Sequence, residues 1–227
     1  MSPTLLAAIA IAGACVAVAE PRLLGRAWPD AALSAGAGIG IAYVVIHLLP
    51  DLAAGAEIVK RSAEGRLPYA EVHVYLLVLV GIIGTLLLRA GEKGLHGFHP
   101  HPRIRALQPA LSALIVGYLL AVRDDAAIKP LLFFTIAIGL HVAINAHTLE
   151  VKLRSPFGGL ALAGAIAAGY AAGLVAQAPP VVVAGATALL AGGVMTRTIH
   201  EVLDEERHLV ALVVGAAAET VLLLAIA

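Results

Sequence analysis

Residues 133–147 read Phe-Phe-Thr-Ile-Ala-Ile-Gly-Leu-His-Val-Ala-Ile-Asn-Ala-His, and no Asp, Glu, Lys or Arg interrupts them. They sit in an apolar run over 130–149. About 20 such residues, rising about 1.5 Å each, span the hydrocarbon core of a bilayer. Seven more runs follow the same pattern, at 3–19, 30–50, 71–90, 107–122, 157–176, 179–199 and 208–226. The fourth is short, with Pro109 expected in its first turn. The sequence therefore predicts an all-α polytopic membrane bundle of about eight transmembrane helices, one domain over 1–227. The longest connections, 51–70 and 91–106, are expected to be short hydrophilic loops with no room for a soluble domain.

Composition argues the same way. Hydrophobic residues make up 60% of the chain and charged residues 13%, with a mean hydropathy of +0.94. A soluble domain carries roughly 25% charge, and no core this small could hide so much apolar surface, so the lipid bilayer is the expected partner. Lys+Arg and Asp+Glu balance at 15 each, which gives no call for nucleic acid. Cys15 is the one cysteine, which excludes an intramolecular disulfide and a Cys-rich zinc site, and it reads as a packing residue. Gly36 with Gly40 and Gly169 with Gly173 mark faces where helices approach closely, and they would also permit a homodimer. Ala17-Val18-Ala19 resembles a signal-peptidase site, but the leading Met-Ser-Pro-Thr carries no side-chain cation, so a retained first helix is expected.

Ten Lys and Arg residues (22, 26, 89, 93, 103, 105, 152, 154, 197 and 207) fall on one side of the predicted spans and five (60, 61, 66, 123 and 129) on the other. The positive-inside rule makes the first side cytoplasmic and puts both termini outside, in what is expected to be a bacterial inner membrane.

An ionisable side chain within a span is costly unless paired or hydrated, so each one is a candidate site. His141 lies near mid-span with Asn145 four residues on, along the same face. His147 lies on another face. Glu219 falls in the eighth span at a similar depth, and His47 near the end of the second. Imidazole, amide oxygen and carboxylate suit a borderline divalent cation such as Zn²⁺. The same residues would equally serve as a buried His–Glu pair locking helices together. The loop histidines His96, His99 and His101 could bind a divalent metal weakly or belong to a flexible interfacial loop. His200, Asp204 and His208 would align as an i, i+4, i+8 stripe if helical, or form a solvated turn. No phosphate-cradling Gly-rich loop, His-Glu-x-x-His or Gly-x-Ser-x-Gly occurs. Neither Ser34 nor Ser112 has an evident base in sequence, so the chain does not read as an enzyme, and no organic cofactor is indicated.

The stretch Ala42-Tyr43-Val44-Val45-Ile46-His47-Leu48-Leu49-Pro50-Asp51 resembles the second helix of the ZIP (Zrt-/Irt-like) metal transporters. Thr135-Ile136-Ala137-Ile138-Gly139-Leu140-His141 resembles the approach to that family's fifth-helix metal motif. A His-bearing cytoplasmic loop after the third span, eight spans with outer termini, and Ala191-Gly192-Gly193 before an acidic turn are also similar to it. The resemblance implies a metal permease in which one helix bundle moves against another. It also exposes departures. The family's fourth-helix ligand positions correspond to Ser112, Ala113 and Val116, its middle fifth-helix ligand to Val142, and the sixth span has no carboxylate. The resemblance thus implies a divergent member with a reduced metal site at His141 and Asn145, and Glu219, which the family pattern does not predict, would complete it. The alternative is a non-transporting scaffold, sensor or partner-binding subunit.

Overall fold

The computed structural model describes residues 1–19, 30–63, 69, 71–92, 102–123, 128–153, 157–204 and 208–224, and only the backbone at 19, 30, 89–92, 102–105, 150–153 and 201–204. Among the described residues all regular structure is helical. The helices are α1 (Pro3–Ala19), α2 (30–62), α3 (Val72–Glu92), α4 (Pro102–Ala121), α5 (Ile128–Leu153), α6 (Gly158–Val175), α7 (Pro180–Asp204) and α8 (Leu209–Leu224). Four stretches are long and apolar enough to cross a membrane: Ala31–Ser62, Ile128–Leu149, Gly158–Val175 and Pro180–His200. The other four apolar stretches, Pro3–Val18, Val72–Leu88, Ala106–Ala121 and Leu209–Leu224, are shorter. Large aliphatic side chains stand exposed along whole faces, as with Leu76, Leu79, Val80, Ile83 and Leu87 on α3 and Val213, Val214, Val221 and Leu224 on α8. Water-soluble monomers rarely carry such continuous apolar surface, and hydrocarbon is the solvent that suits it.

Two boundaries differ from the sequence reading. Residues 51–62 are helix rather than loop. Leu52, Gly55, Ala56 and Val59 form a buried stripe at helical spacing. The opposite face is polar and includes a Glu57–Arg61 ion pair at 3.1 Å. Averaged hydropathy conceals such a helix because half of it faces out. The second difference is that α4 begins at Pro102, which puts Pro109 inside the helix rather than in its first turn.

Between its two α-helical parts, Asp30–Tyr43 and Leu49–Ser62, α2 makes one π-helical turn over Val44–Leu48. The Leu49 N–H bonds to the Val44 carbonyl, five residues back. Pro50 explains the turn's position. Proline has no N–H to give, and in a regular α-helix its ring collides with the carbonyl four residues earlier, here Ile46. A wider turn opens that space without ending the helix.

The most extensive helix contacts are α4 with α6, α2 with α8 and α3 with α7, and all three rest on glycine. A Cβ on Gly117 would overlap the Ile166 carbonyl oxygen, while one on Gly169 would overlap that of Leu114. The same reciprocal pattern joins Gly38 to Leu212 and Gly215 to Ala35, then Gly81 to Leu189 and Gly192 to Val78. Gly173 abuts Ala121 and Tyr118, so the Gly169–Gly173 face is a close-approach face as expected. Gly36 packs on Leu140 and Ile144 of α5.

Contacts also divide the helices into two groups of four. Helices α1, α4, α5 and α6 pack among themselves, as do α2, α3, α7 and α8. The α2–α5, α4–α7 and α3–α4 contacts join the groups along a seam, each less extensive than the three glycine crossings. The cost of a bulky residue at a crossing should far exceed that at an open glycine. Gly169→Leu is expected to destabilise the protein by about 3 kcal/mol or to prevent folding. Gly164→Ala, whose Cβ meets nothing within 4 Å, should change stability by less than about 1 kcal/mol. Thermal unfolding of both variants in detergent checks this contrast.

Candidate functional site

Helix α5 carries the polar centre of the bundle. Phe134, Ile138, His141 and Asn145 recur at i, i+4, i+7 and i+11 along one face, and all four are buried. The Asn145 side chain is wholly inaccessible, and its Nδ2 lies 3.1 Å from His141 Nε2. With the amide N–H donating, Nε2 is the unprotonated ring nitrogen and Nδ1 carries the proton. Asn145 Oδ1 then has no hydrogen-bond partner among the described residues. A buried acceptor without a donor costs about 1–3 kcal/mol, so this pair is not the cheapest way to fill the space. Rotating the amide would bring Oδ1 beside Nε2. Two lone pairs then face each other, an arrangement that a cation between them stabilises.

Glu219 is also buried, at 3% exposure, and its Oε1 likewise has no hydrogen-bond partner among the described residues. It rides on α8, which packs along α2, one turn beyond the Gly215 crossing. The α2 residues that meet α8, Ala35 and Gly38, differ from Gly36, which meets α5. The contact made within the predicted triad is therefore His141 with Asn145.

His47 sits in the π turn, where the altered register brings its Nε2 to 3.9 Å from Asp51 Oδ2. Its ring lies 5.2 Å from that of Tyr43. His200 lies in α7 with Nδ1 3.1 Å from the Thr196 carbonyl oxygen. That helix ends at Asp204, whose side chain is outside the described residues, and His208 stands beyond it, immediately before α8. His96, His99 and His101 also lie outside the described residues. Among the described residues no three His, Cys, Asp or Glu side chains gather closely enough to hold a metal ion.

Two adjoining cavities open at the end of the seam where α4 ends and α7 begins. One, of about 390 Å³, is lined by Asp51, Gly55, Gln177, Ala184 and Thr187 among others. The second, of about 140 Å³, is lined by Tyr43, Asp51, Leu120, Arg123, Phe134 and Thr187. Phe134 connects this mouth with the buried pair, because His141 lies seven residues further along the same face, about 10 Å at helical rise. Ile138, Leu120 and Val116, each no more than 1% exposed, are the apolar residues of α4 and α5 at intermediate depth.

Sequence reasoning missed this mouth. Its polar residues, Asp51, Arg123, Gln177 and Thr187, come from four separate stretches, and each alone resembles an ordinary helix end. The Pro50 signal was available, since a proline inside a continuing apolar helix forces a local change in register.

No family model matches the chain, and no curated protein matches it.

When its amide N–H donates to Nε2, Asn145 selects the His141 tautomer protonated at Nδ1. ¹⁵N NMR of labelled protein should therefore show His141 protonated at Nδ1 and unprotonated at Nε2. Asn145→Leu should remove that preference. Protonation at Nε2 in the wild type would contradict the assigned geometry.

Proposed function

We propose that this protein is a divalent-cation permease of the bacterial inner membrane, ZIP-like in architecture, with both termini outside. In this reading His141 and Asn145 form a reduced transport site. The carrying observation is the pair itself, a buried imidazole and amide bonded at 3.1 Å with one amide oxygen unpartnered. It lies on the face of α5 that leads from the Asp51 mouth, in a bundle divided into two groups of four. A borderline cation such as Zn²⁺ is the substrate class that imidazole nitrogen and amide oxygen favour. Asp51 gives the mouth a carboxylate, which would attract cations there. Two strong ligands bind less tightly than a full cage, and a transported ion must also leave. The excess of Lys and Arg on one side of the spans supports the orientation.

One observation favours the alternative, a ZIP-like scaffold or partner-binding subunit that does not transport. Ile138, between Phe134 and His141 along α5, is buried, so a cation passes from mouth to pair only if the helices move.

Purified protein in proteoliposomes decides between the readings. Uptake of Zn²⁺, Mn²⁺, Fe²⁺ or Cd²⁺ should be measurable for the wild type and abolished by His141→Ala, with an unchanged size-exclusion profile. A folded wild type that moves none of the four across a range of pH and concentration would falsify the permease reading.

A further inference from the structure

Away from the seam, α1 and α6 leave a groove between them of about 420 Å³. Ala8, Ile9 and Ala12 line it from α1, and Ile166, Ala167 and Ala171 from α6. Ala8 and Ile166 are buried, whereas Ile9, Ala167 and Ala171 are exposed, so the groove has a closed floor and an open side. Most of these residues are alanine, and the space exists because their side chains stop at the β carbon. From Ser2 to Ala12 the groove runs about 15 Å at helical rise. That is the depth of one leaflet, half of a hydrocarbon core about 30 Å thick.

Ser2 and Tyr170 are the polar residues of the lining, and they meet at the end where α1 begins. Ser2 caps that helix, its Oγ accepting from the Leu5 N–H at 3.2 Å. Pro3 follows at the first helical position, where no N–H is needed. The cap holds Ser2 Oγ 3.2 Å from the Tyr170 hydroxyl and 3.3 Å from Thr4 Oγ1. Thr4 Oγ1 lies 3.1 Å from the same Tyr170 hydroxyl, which closes a ring. Each hydroxyl has one proton and two lone pairs. A closed ring uses every proton it has, and the Leu5 N–H takes one of the lone pairs left over. Among the described residues the cluster therefore ends with spare acceptors and no spare donor. An apolar trough one leaflet deep thus leads to a polar end that calls for donors.

We infer that the groove binds one aminophospholipid, with an acyl chain along Ala8, Ala12 and Ala167 and the headgroup ammonium donating to the Ser2–Thr4–Tyr170 hydroxyls. A protonated primary amine brings three N–H donors and charge-assisted bonds. A choline nitrogen has the same charge and no N–H to give. A helix from a second copy of the chain suits the groove less well. Beyond its first turn its N–H groups are spent within the helix, so it would leave the hydroxyl acceptors unmet. The site shares no lining residue with the cavities at the Asp51 mouth. It goes beyond the permease reading and does not depend on it.

Native mass spectrometry of the purified full-length chain in detergent reads the binding directly. The protein is titrated with dioleoyl phosphatidylethanolamine or with dioleoyl phosphatidylcholine, which differ only in the N–H groups. The wild type should hold one lipid and prefer the ethanolamine headgroup by about tenfold. Tyr170→Phe keeps the ring in the wall and removes one hydroxyl. It should bring the preference close to unity and leave the choline lipid bound as before. Thr4→Val makes the same test should that variant misfold, and general loss of structure would weaken both lipids without changing their ratio. Ala171→Leu, at an exposed position, fills the trough and should weaken both lipids by about tenfold or more, with Ala167→Leu as its substitute. Equal binding of the two lipids by the wild type overturns the proposal, as does a preference that survives both hydroxyl variants. Lipid binding unchanged by Ala171→Leu also overturns it, all the more if the substitution alters dimerisation instead. A protein that moves no divalent cation yet shows the preference keeps the lipid site and loses the permease reading. Cation uptake lost in His141→Ala, with no headgroup preference in the wild type, does the opposite.

Discussion

Helices in hydrocarbon gain almost nothing by hiding apolar side chains from their surroundings, so this bundle depends on backbone meeting backbone. Van der Waals contact has to replace the hydrophobic effect, and it does so where side chains are absent. The reciprocal placement of the glycines makes the point. At each main crossing a glycine on either helix receives the other's carbonyl region, as with Gly117 against Ile166 and Gly169 against Leu114. A single glycine would let one side chain's width be saved, whereas two bring the axes closer on both sides at once. Such crossings tolerate no Cβ, which fixes the α2–α8, α3–α7 and α4–α6 pairs as stiff units.

The stiffness within pairs gives the seam its character by contrast. Contacts between the two groups use side chains more than backbone: Gly36 takes the Leu140 and Ile144 methyl groups, Phe134 takes Tyr43, and Gln108 takes Arg197. Side-chain contacts can re-form after a small displacement because rotamers change more easily than helix backbones. The buried His141–Asn145 pair, level with Gly36 through its neighbours Leu140 and Ile144, lies beside the seam rather than inside either half.

Much of this architecture was legible in sequence because one physical rule, apolar length, governs each span. Each of the eight runs corresponds to a helix, and most ends agree within a few residues. The failures have particular causes. Residues 51–62 were hidden because a half-exposed helix averages to low hydropathy, although Leu52, Ala56 and Val59 keep the helical spacing. His141 and Asn145 could be paired because i and i+4 share a face in any α-helix. Glu219 could not be placed, since depth along α8 says nothing about its direction, and direction is set by the Gly38 and Gly215 crossing. The mouth was unreadable for a similar reason. Asp51, Arg123, Gln177 and Thr187 meet only after four elements are packed.

The polar atoms left without partners bear on what the interior is for. A bundle selected only for stability would replace Asn145 by leucine and Glu219 by an apolar residue, because a buried group with an unmet hydrogen-bonding atom lowers stability. Asn145 Oδ1 and Glu219 Oε1 both lack partners among the described residues, and both residues are buried. In the first case the unmet acceptor adjoins an imidazole, and a change of amide orientation converts a hydrogen bond into two converging lone pairs. Glu219 Oε1 has no hydrogen-bond partner among the described residues, and the residue lies one turn beyond the Gly215 crossing, in the same group of helices as the π turn. The two polar centres thus sit in different halves of the molecule, His141 and Asn145 on α5 and Glu219 on α8.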